Sequence, residues 1–257
     1  MKKILNAKII SNKKVSGEYR KIVLNAPSIA KTAVPGQFVT LKLGSGNVPF
    51  LRRPMSIHKI KPPVIELLYK VRGVGTELLA KYNEKDTLEI LGPLGNGFKT
   101  DGSFSTAILV GGGYGIAPLL ALHDRLKKLD KKIITIIGAK SKTLVNKEGF
   151  TGALIATEDG SDGIKGLVTK ILSSTCCNLS TDSVIFACGP DKMLKAVSEA
   201  GRLHNIPCQI SMENLMACGV GVCLSCVCAV KQGLKTENKR VCVDGPVFDA
   251  EEIIWQI

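Results

Sequence analysis

The sequence predicts an N-terminal antiparallel β-barrel, then a doubly wound parallel α/β domain, and a small cysteine-rich region at the C-terminal end. Short apolar stretches separated by turn residues fill roughly the first hundred positions, and β and α patterns then alternate. Five of the nine cysteines lie within residues 218–242. The expected domain boundaries are 1–102, 103–211 and 212–257.

The barrel prediction rests on strands in the first hundred residues. In the stretch 37–43, alternate side chains oppose one another as they do in a strand with two different faces. Residues 64–71 and 87–91 are further strand candidates, and the N-terminal stretch is expected to be the first strand. Proline-containing pairs at 35–36, 62–63 and 92–93 mark turns between them.

From about residue 104, strands and helices alternate. Strands are predicted at 106–110, 133–137, 153–157, 183–188 and, as the last one, 207–212. Helices are predicted at 117–129, 167–172 and 192–204. Alternation at this interval predicts a parallel sheet covered by helices, whose ligands bind at the carboxyl ends of the strands.

Composition and charge exclude several classes of protein. The 257 residues carry a formal net charge of +13, but the lysines are scattered and no basic stripe is interleaved with aromatics, so nucleic acid is not an expected partner. Polar residues interrupt the N-terminal apolar run before an export signal forms. The uncharged stretch 106–122 contains four glycines and a proline. We therefore expect no membrane-spanning helix and a cytoplasmic location.

The cysteines form the most specific pattern. Four residues separate Cys218 from Cys223, two separate Cys223 from Cys226, and fifteen separate Cys226 from Cys242. This is the plant-type spacing of a [2Fe–2S] cluster, with these four thiolates as ligands. The ligands must converge on a small inorganic core, and glycines at 219 and 221 permit the tight loop that this requires.

Zinc and a redox-active dithiol are weaker alternatives for the cysteines. A zinc ribbon uses paired C-x2-C units, and a thioredoxin-like dithiol lies at a helix start beside a βαβ unit. The role of Cys228 stays open, because a different register of the cysteine pattern could use it as a ligand in place of Cys226. The remaining cysteines are interpreted as buried structural residues: Cys176, Cys177, Cys188 and Cys208.

Two motifs in the predicted barrel resemble the ferredoxin reductase superfamily. LRRPMSI (51–57) resembles its Arg-x-aromatic-Ser/Thr flavin signature, with a methionine in the aromatic position, and YKVRGVGTELL (69–79) resembles its helix start at the flavin diphosphate. The resemblance implies bound FAD, with an arginine on the diphosphate and a serine near the ring. The implied FAD-binding residues are Arg53, Pro54, Met55, Ser56, Leu68, Tyr69, Lys70, Gly75 and Thr76. The alternatives are a surface arginine and a threonine that merely caps a helix.

A glycine-rich string, GGGYGIAP (111–118), stands between a predicted strand and a predicted helix, the context that gives such a string weight. It resembles the NAD(P)-binding variant of the same superfamily, and a Cys-Gly-Pro turn resembles that family's turn beside the nicotinamide. The implied NAD(H)-binding residues are Gly111, Gly112, Gly113, Gly115, Pro118, Cys188, Gly189 and Pro190. The loop 138–143 holds two lysines and no acidic residue, so the preference between NADH and NADPH stays open.

The order of barrel, nucleotide domain and cysteine loop resembles the electron-transfer subunits of NAD-dependent dihydroorotate dehydrogenases of type B, and the cysteine-containing tail is the most specific part. The resemblance implies electron transfer from NADH through FAD and the cluster to the FMN of a separate catalytic subunit in pyrimidine biosynthesis. It also implies a heterotetramer with two of each subunit and no catalytic side chain here. The alternatives are a reductase subunit of a ferredoxin:NADP oxidoreductase or hydrogenase, and a zinc-bound interaction module.

Overall fold

Six antiparallel strands among the described residues close into a barrel. The computed structural model describes residues 2–44, 46, 48–177, 182–233 and 235–255. The barrel strands are β1 (Lys3–Ser16), β2 (Tyr19–Asn25), β3 (Phe38–Lys42), β4 (Arg53–Lys61), β5 (Val64–Lys70) and β6 (Thr87–Leu94). They pair in the order β1-β2-β5-β4-β3-β6, and β6 returns to β1. The predicted barrel is confirmed, although β2 was not among the predicted strands.

Alternating side chains from each strand fill the barrel, since successive residues of a strand point to opposite faces. Ile22 and Leu24 from β2 meet Ile65 and Leu67 from β5, and all four are fully buried. Two short helices accompany the barrel, α1 (Pro27–Ala30) and α2 (Val74–Lys81). The second of them begins directly after β5 and so lies next to the implied flavin residues.

The rest of the chain alternates between strands and helices. Its strands are β7 (Thr106–Gly112), β8 (Lys132–Ala139), β9 (Leu154–Thr157), β10 (Ile164–Lys165), β11 (Ser183–Cys188), β12 (Cys208–Ser211), β13 (Val227–Gln232), β14 (Lys235–Arg240) and β15 (Val247–Asp249). Its helices are α3 (Leu119–Lys127), α4 (Val168–Cys176) and α5 (Asp191–Leu203). The predicted strands and helices of this part are all present, and their ends differ from the predicted ones by at most four residues.

The main sheet has the order β10-β9-β8-β7-β11-β12-β15, and its strands run parallel except for β15. All seven residues of β7 are buried, as expected for a central strand covered on both faces. Because the chain order reverses between β7 and β11, their carboxyl ends flank the crevice where sheets of this kind bind ligands. The glycine-rich loop follows β7 at that point.

The prediction that residues 207–212 form the last strand is wrong. After β12 the chain forms the small antiparallel pair β13–β14 and then β15, which pairs antiparallel with β12 at the edge of the main sheet. This edge pairing joins residues about forty positions apart, and no local periodicity signals such a return. The cysteine-rich region is therefore attached to the nucleotide domain by β15.

The barrel and the main sheet contact each other through specific hydrogen bonds. The Tyr19 hydroxyl donates to the Leu144 carbonyl at 3.4 Å, and Lys21 pairs with Glu148 at 2.5 Å. His58 on β4 is buried and bonds through Nδ1 to the Ala117 carbonyl at 2.8 Å. Burial lowers the pKa of His58, so the ring is neutral and Nδ1 is the donor. These contacts place the end of the glycine loop against a barrel strand.

Among the described residues, no helix is both long and apolar enough to cross a membrane. One burial prediction fails in the same set. Cys176, Cys188 and Cys208 are buried as expected, but Cys177 is exposed. It is the residue that follows α4, and adjacent helical positions point in directions about 100° apart, so Cys176 and Cys177 cannot both face the sheet.

Candidate cofactor sites

A cavity of about 230 Å³ lies where the barrel, the glycine loop and the segment before the cysteine loop meet. Six of the nine implied flavin residues line it: Pro54, Met55, Ser56, Leu68, Tyr69 and Lys70. The opposite walls come from Tyr114 and Ala117 of the glycine loop and from residues 211–214, 216 and 246. Strands β4 and β5 thus present their implied flavin residues to one space.

Arg53 and Gly75, also implied flavin residues, lie together beside this cavity. A Cβ at Gly75 would lie 2.5 Å from Arg53 Nε, so the guanidinium group packs directly over the first turn of α2. Arg53 Nη1 donates to the Leu51 carbonyl at 2.6 Å, which holds the side chain in this place. A guanidinium fork beside the amide groups of a helix start suits a phosphate group. The residues therefore fit a dinucleotide whose diphosphate lies at α2.

The hydroxyl groups of Thr76 and Tyr69 form hydrogen bonds within the protein. The Thr76 hydroxyl accepts from the Arg72 and Gly73 amides at 2.8 and 3.3 Å, so it caps the helix. The Tyr69 hydroxyl donates to Asn12 Oδ1 at 2.7 Å and accepts from Arg20 Nε at 3.2 Å. Both hydroxyl groups are bonded within the barrel domain, so these side chains help to hold the site in place.

The two implied nucleotide loops pack against each other at the carboxyl ends of β7 and β11, where Gly111 is in register with Cys188. Gly113 has a φ of +56°, and a Cβ at Gly115 would lie 2.1 Å from the Cys188 carbonyl oxygen. A Cβ at Gly112 would meet Met193 Sδ at 2.4 Å. Each glycine therefore serves a conformation or a close approach that a larger residue would prevent. Pro118, the last implied residue of this loop, directly precedes α3.

Cys188 lies in the turn that faces this loop, but its thiol is not a free reactive group. The side chain is buried, and the pKa is raised by burial and by the charge of Glu213. Gly189 and Pro190 continue the turn, and a Cβ at Gly189 would lie 3.1 Å from the Gly112 amide nitrogen. The turn therefore contributes backbone surface to the crevice, and its thiol stays protonated at neutral pH.

A substitution tests the close packing of these loops. Gly115→Ala is expected to lower the free energy of unfolding by about 1–3 kcal/mol, because a backbone carbonyl cannot turn away from the added methyl group. It should also weaken NAD+ binding, since both loops have to shift. Thermal denaturation and NAD+ titration of the FAD-loaded protein measure the two effects. Gly46→Ala is the control, because a Cβ there meets no atom of the described residues within 4 Å. Equal stability of the two variants would contradict the packing argument.

The structure adds residues to the cavity that motif reasoning missed. Arg72 and Tyr114 stand inside quoted motifs, but only the fold shows that they face the same space. Glu213 also lines the cavity. Desolvation and the nearby carboxylate of Asp191 raise the pKa of Glu213, and the charge of Arg72 opposes this shift. Glu213 lies five residues before Cys218 in the sequence, and the structure turns it toward the cavity.

The four implied cluster ligands converge in two pairs. The thiols of Cys218 and Cys223 interact with each other, as do those of Cys226 and Cys242. Cys226 and Cys242 are 2% and 1% exposed, whereas Cys223 is exposed at the surface. Within the described part of the chain, no set of three or more acidic, cysteine or histidine side chains surrounds a single metal position. Two pairs of thiols fit a two-iron core, in which each iron would take two of them.

Backbone amide groups in the cysteine loop point at the Cys218 sulfur. Val220, Val222 and Cys223 donate to it at 3.5, 3.4 and 3.5 Å. Burial raises the pKa of the Cys218 thiol, but these donors outweigh it and bring the value to about 6. A loop that stabilises a thiolate in this way is suited to bind metal. Residues 219, 221 and 224 reach this geometry with φ values of +69°, +91° and +56°.

Arg240 connects the cysteine loop to the turn that carries Cys242. Arg240 Nη1 donates to the Gly221 carbonyl at 3.1 Å, and Arg240 Nε donates to Asp244 Oδ2 at 3.0 Å. Asn96, in the turn that follows β6, donates from Nδ2 to the carbonyls of Val243 and Asp244 at 3.1 and 3.0 Å. The fourth thiol is thereby held against both the cysteine loop and the barrel.

Cys228 lies on β13, outside the cysteine loop. It is half-buried, and burial together with the neighbouring Cys226 raises its pKa to about 11. Cys226, in contrast, receives the Cys242 amide on its sulfur at 3.4 Å. The geometry favours Cys226 over Cys228 as the partner of Cys242.

The cavity and the cysteine loop are neighbours in space. Residues 212–216 line the cavity or its rim and lead within two positions to Cys218. On the other side, a Cβ at Gly219 would lie 3.0 Å from Thr40 Cγ2 of β3, the strand whose Phe38 lines the cavity. Electron transfer needs such proximity between redox groups, and the chain supplies it.

Comparison with known proteins finds relatives of the cysteine region and of the whole chain. A family model described as the iron–sulfur cluster binding domain of dihydroorotate dehydrogenase B matches residues 213–254. The chain is 40% identical to the dihydroorotate dehydrogenase B (NAD(+)) electron transfer subunit of Caldanaerobacter subterraneus, over 98% of both chains. It is 36% identical to the subunit of that name from Desulforamulus reducens, over 100% of both.

A solved structure of an NADH-dependent reduced ferredoxin-NADP oxidoreductase also resembles the chain. The TM-score is 0.86 at 31% identity, and the match covers 98% of this chain and 90% of that one. The barrel, the parallel sheet and the cysteine region are thus found in one arrangement in a related redox protein. With the full-length identities above, they show that the chain belongs to the family of dihydroorotate dehydrogenase B (NAD(+)) electron transfer subunits.

Proposed function

We propose that this protein passes electrons between NADH and a partner dihydroorotate dehydrogenase subunit that holds FMN, as a step of pyrimidine biosynthesis in the cytoplasm. The observation that carries this proposal is a cavity that is lined by Tyr114 and Ala117 of the glycine loop and by Met216, which lies two residues before the cysteine loop. A chain with this layout can receive electrons at one end and deliver them at the other. Its relatives bear the matching name.

Each region has one task in this proposal. Residues 1–102 bind FAD, residues 103–211 bind NAD(H), and residues 212–257 bind the [2Fe–2S] cluster. Arg53 and the start of α2 hold the flavin diphosphate, and β4 and β5 border the flavin ring. The glycine loop and the turn after β11 hold the nucleotide at the carboxyl ends of the parallel strands. Cys218, Cys223, Cys226 and Cys242 bind the cluster.

The cofactors supply the redox chemistry, since bound FAD exchanges electron pairs with NADH and single electrons with an iron–sulfur cluster. The protein supplies binding and orientation. Arg53 neutralises the diphosphate charge, the amide groups around Cys218 stabilise thiolate charge, and the buried Cys226–Cys242 pair keeps water from half of the cluster site. No side chain here acts as a catalytic base or nucleophile in this proposal.

The partner completes the enzyme. The catalytic subunit interconverts dihydroorotate and orotate, and we propose an assembly of two subunits of each kind. Cys223 is exposed while Cys226 and Cys242 are buried, and we propose that electrons leave at the exposed Cys223 edge of the cysteine loop.

Reconstitution with a partner tests the function. The protein carrying FAD and cluster, mixed with a type B dihydroorotate dehydrogenase catalytic subunit from the same organism, should convert orotate to dihydroorotate at the expense of NADH. The catalytic subunit alone should not use NADH. If the mixture reduces an artificial dye with NADH but never orotate, the assignment of the partner is wrong.

A second candidate function is electron transfer between NADH and a ferredoxin–NADP system. The fold match at a TM-score of 0.86 favours it, and the 40% identity to the dihydroorotate dehydrogenase subunits favours the first. The same preparation, offered reduced ferredoxin and NADP+ in place of the catalytic subunit, separates the two.

A further inference from the structure

A side-chain pair crosses the cavity between the barrel and the glycine loop. Arg72 follows β5 in the barrel domain, and Tyr114 lies in the loop after β7. Arg72 Nη1 donates to the Tyr114 hydroxyl at 2.6 Å, and the guanidinium carbon is 5.5 Å from the centre of the tyrosine ring. Both residues line the cavity. Neither has a role in the flavin, nucleotide or cluster sites as described so far.

The backbone on both sides of this pair is fixed. Tyr114 stands between Gly113, whose φ is +56°, and Gly115, which packs against the Cys188 carbonyl. The amide of Arg72 donates to the Thr76 hydroxyl at the start of α2. The loop therefore cannot move far without losing its packing against β11. What can change at low cost is the rotamer of Tyr114, and with it the bond to Arg72.

The tyrosine ring lies where two ligands have to meet. In the proposed function the flavin ring borders β4 and β5 on one wall of the cavity, and NAD(H) arrives along the glycine loop on another. Transfer between them needs reacting atoms about 3–3.5 Å apart, so the nicotinamide must enter the cavity itself. Tyr114 extends from the glycine loop into that same cavity.

We propose that Tyr114 blocks the place of the nicotinamide until NAD(H) binds. In the free protein its ring, latched by Arg72, takes the place beside the flavin, and NAD(H) has to break the Arg72–Tyr114 bond to enter. This inference rests on the proposed function. The latched form is one of two states, and its stability reduces the apparent affinity for the nucleotide. Removing one such hydrogen bond should tighten NAD+ binding about two- to tenfold.

The test is the dissociation constant of NAD+ for the oxidised, FAD-loaded full chain, measured by the change in flavin absorbance. Tyr114→Phe keeps the ring and removes the hydroxyl. We expect it to bind NAD+ about two- to tenfold more tightly than the wild type, with unchanged affinity for FAD. Glu148→Gln is the control, because it weakens the Lys21–Glu148 ion pair, which also joins the barrel to the nucleotide domain, and neither residue lines the cavity. It should bind NAD+ as the wild type does.

Three outcomes overturn the inference. Unchanged NAD+ affinity in Tyr114→Phe means that the Arg72–Tyr114 bond does not have to break, and weaker binding means that the hydroxyl contacts the nucleotide. Equal tightening in Glu148→Gln means that any loosening of the interface has the effect. A wild type that holds FAD but binds no NAD+ contradicts the proposed function instead. The two failures are therefore distinguishable.

Discussion

Cys226→Ser is expected to abolish the iron–sulfur cluster. Cys226 is 2% exposed, its thiol interacts with that of Cys242, and its sulfur accepts the Cys242 amide. A serine hydroxyl gives up its proton far less readily than a thiol, so it is a poor ligand in this buried place, and metal binding contributes folding energy to such a region. Iron should fall from about two atoms per chain to near zero, with loss of the broad cluster absorbance. Iron analysis and an absorption spectrum of the anaerobically purified variant measure this.

Cys228→Ser is the matched control for that experiment. The two cysteines are two positions apart, but Cys228 is on β13 and is not paired with the other three ligands. It should retain iron and absorbance at the level of the wild type. The opposite result, with iron lost from Cys228→Ser and kept in Cys226→Ser, would mean that the cluster uses the alternative register.

Arg53→Ala is expected to release FAD. The guanidinium group packs over Gly75 at the start of α2, so its removal takes the main positive charge from the proposed diphosphate site. Truncating a charged partner of this kind costs about 2–3 kcal/mol, which corresponds to a dissociation constant for FAD raised about 30- to 150-fold. Titration of the FAD-depleted protein with FAD, followed by flavin fluorescence, measures the constant.

The adjacent arginine provides the comparison. Arg52 forms an ion pair with Glu89 on the barrel and does not line the cavity. Arg52→Gln should change the dissociation constant for FAD by less than about threefold, because ion pairs near the surface contribute little. Equal loss of FAD from both variants would remove the diphosphate role from Arg53 and indicate a general effect on barrel stability.

The parts of the site that could be predicted from the sequence are those in which the chemistry requires a fixed local spacing of residues. The spacing predicts four cysteine ligands, three of them from one loop, and the structure places Cys218 beside Cys223 and Cys226 beside Cys242; their binding of one cluster stays a prediction. The glycine loop lies between a strand and a helix, and its register with the turn after β11 follows from parallel pairing. The implied flavin residues on β4 and β5 meet because neighbouring barrel strands bring their faces together.

Contacts between distant segments could not be predicted in this way. The pairing of β15 with β12, the bond from Asn96 to the Cys242 turn, and the Arg72–Tyr114 pair each join residues that no periodicity connects. Side-chain direction is a second limit. Thr76 caps α2, the Tyr69 hydroxyl turns to the barrel strands, and Cys177 turns outward one residue after a buried cysteine.

The central claim is that electrons from NADH pass through this one chain to the cysteine loop. The most direct measurement is electron paramagnetic resonance of the FAD-loaded, cluster-containing protein after anaerobic addition of NADH, without any partner. The account predicts that the flavin absorbance bleaches and that the signal of a reduced [2Fe–2S] cluster appears, while Cys226→Ser bleaches without that signal. A wild type whose flavin bleaches completely while its cluster stays oxidised would contradict the account.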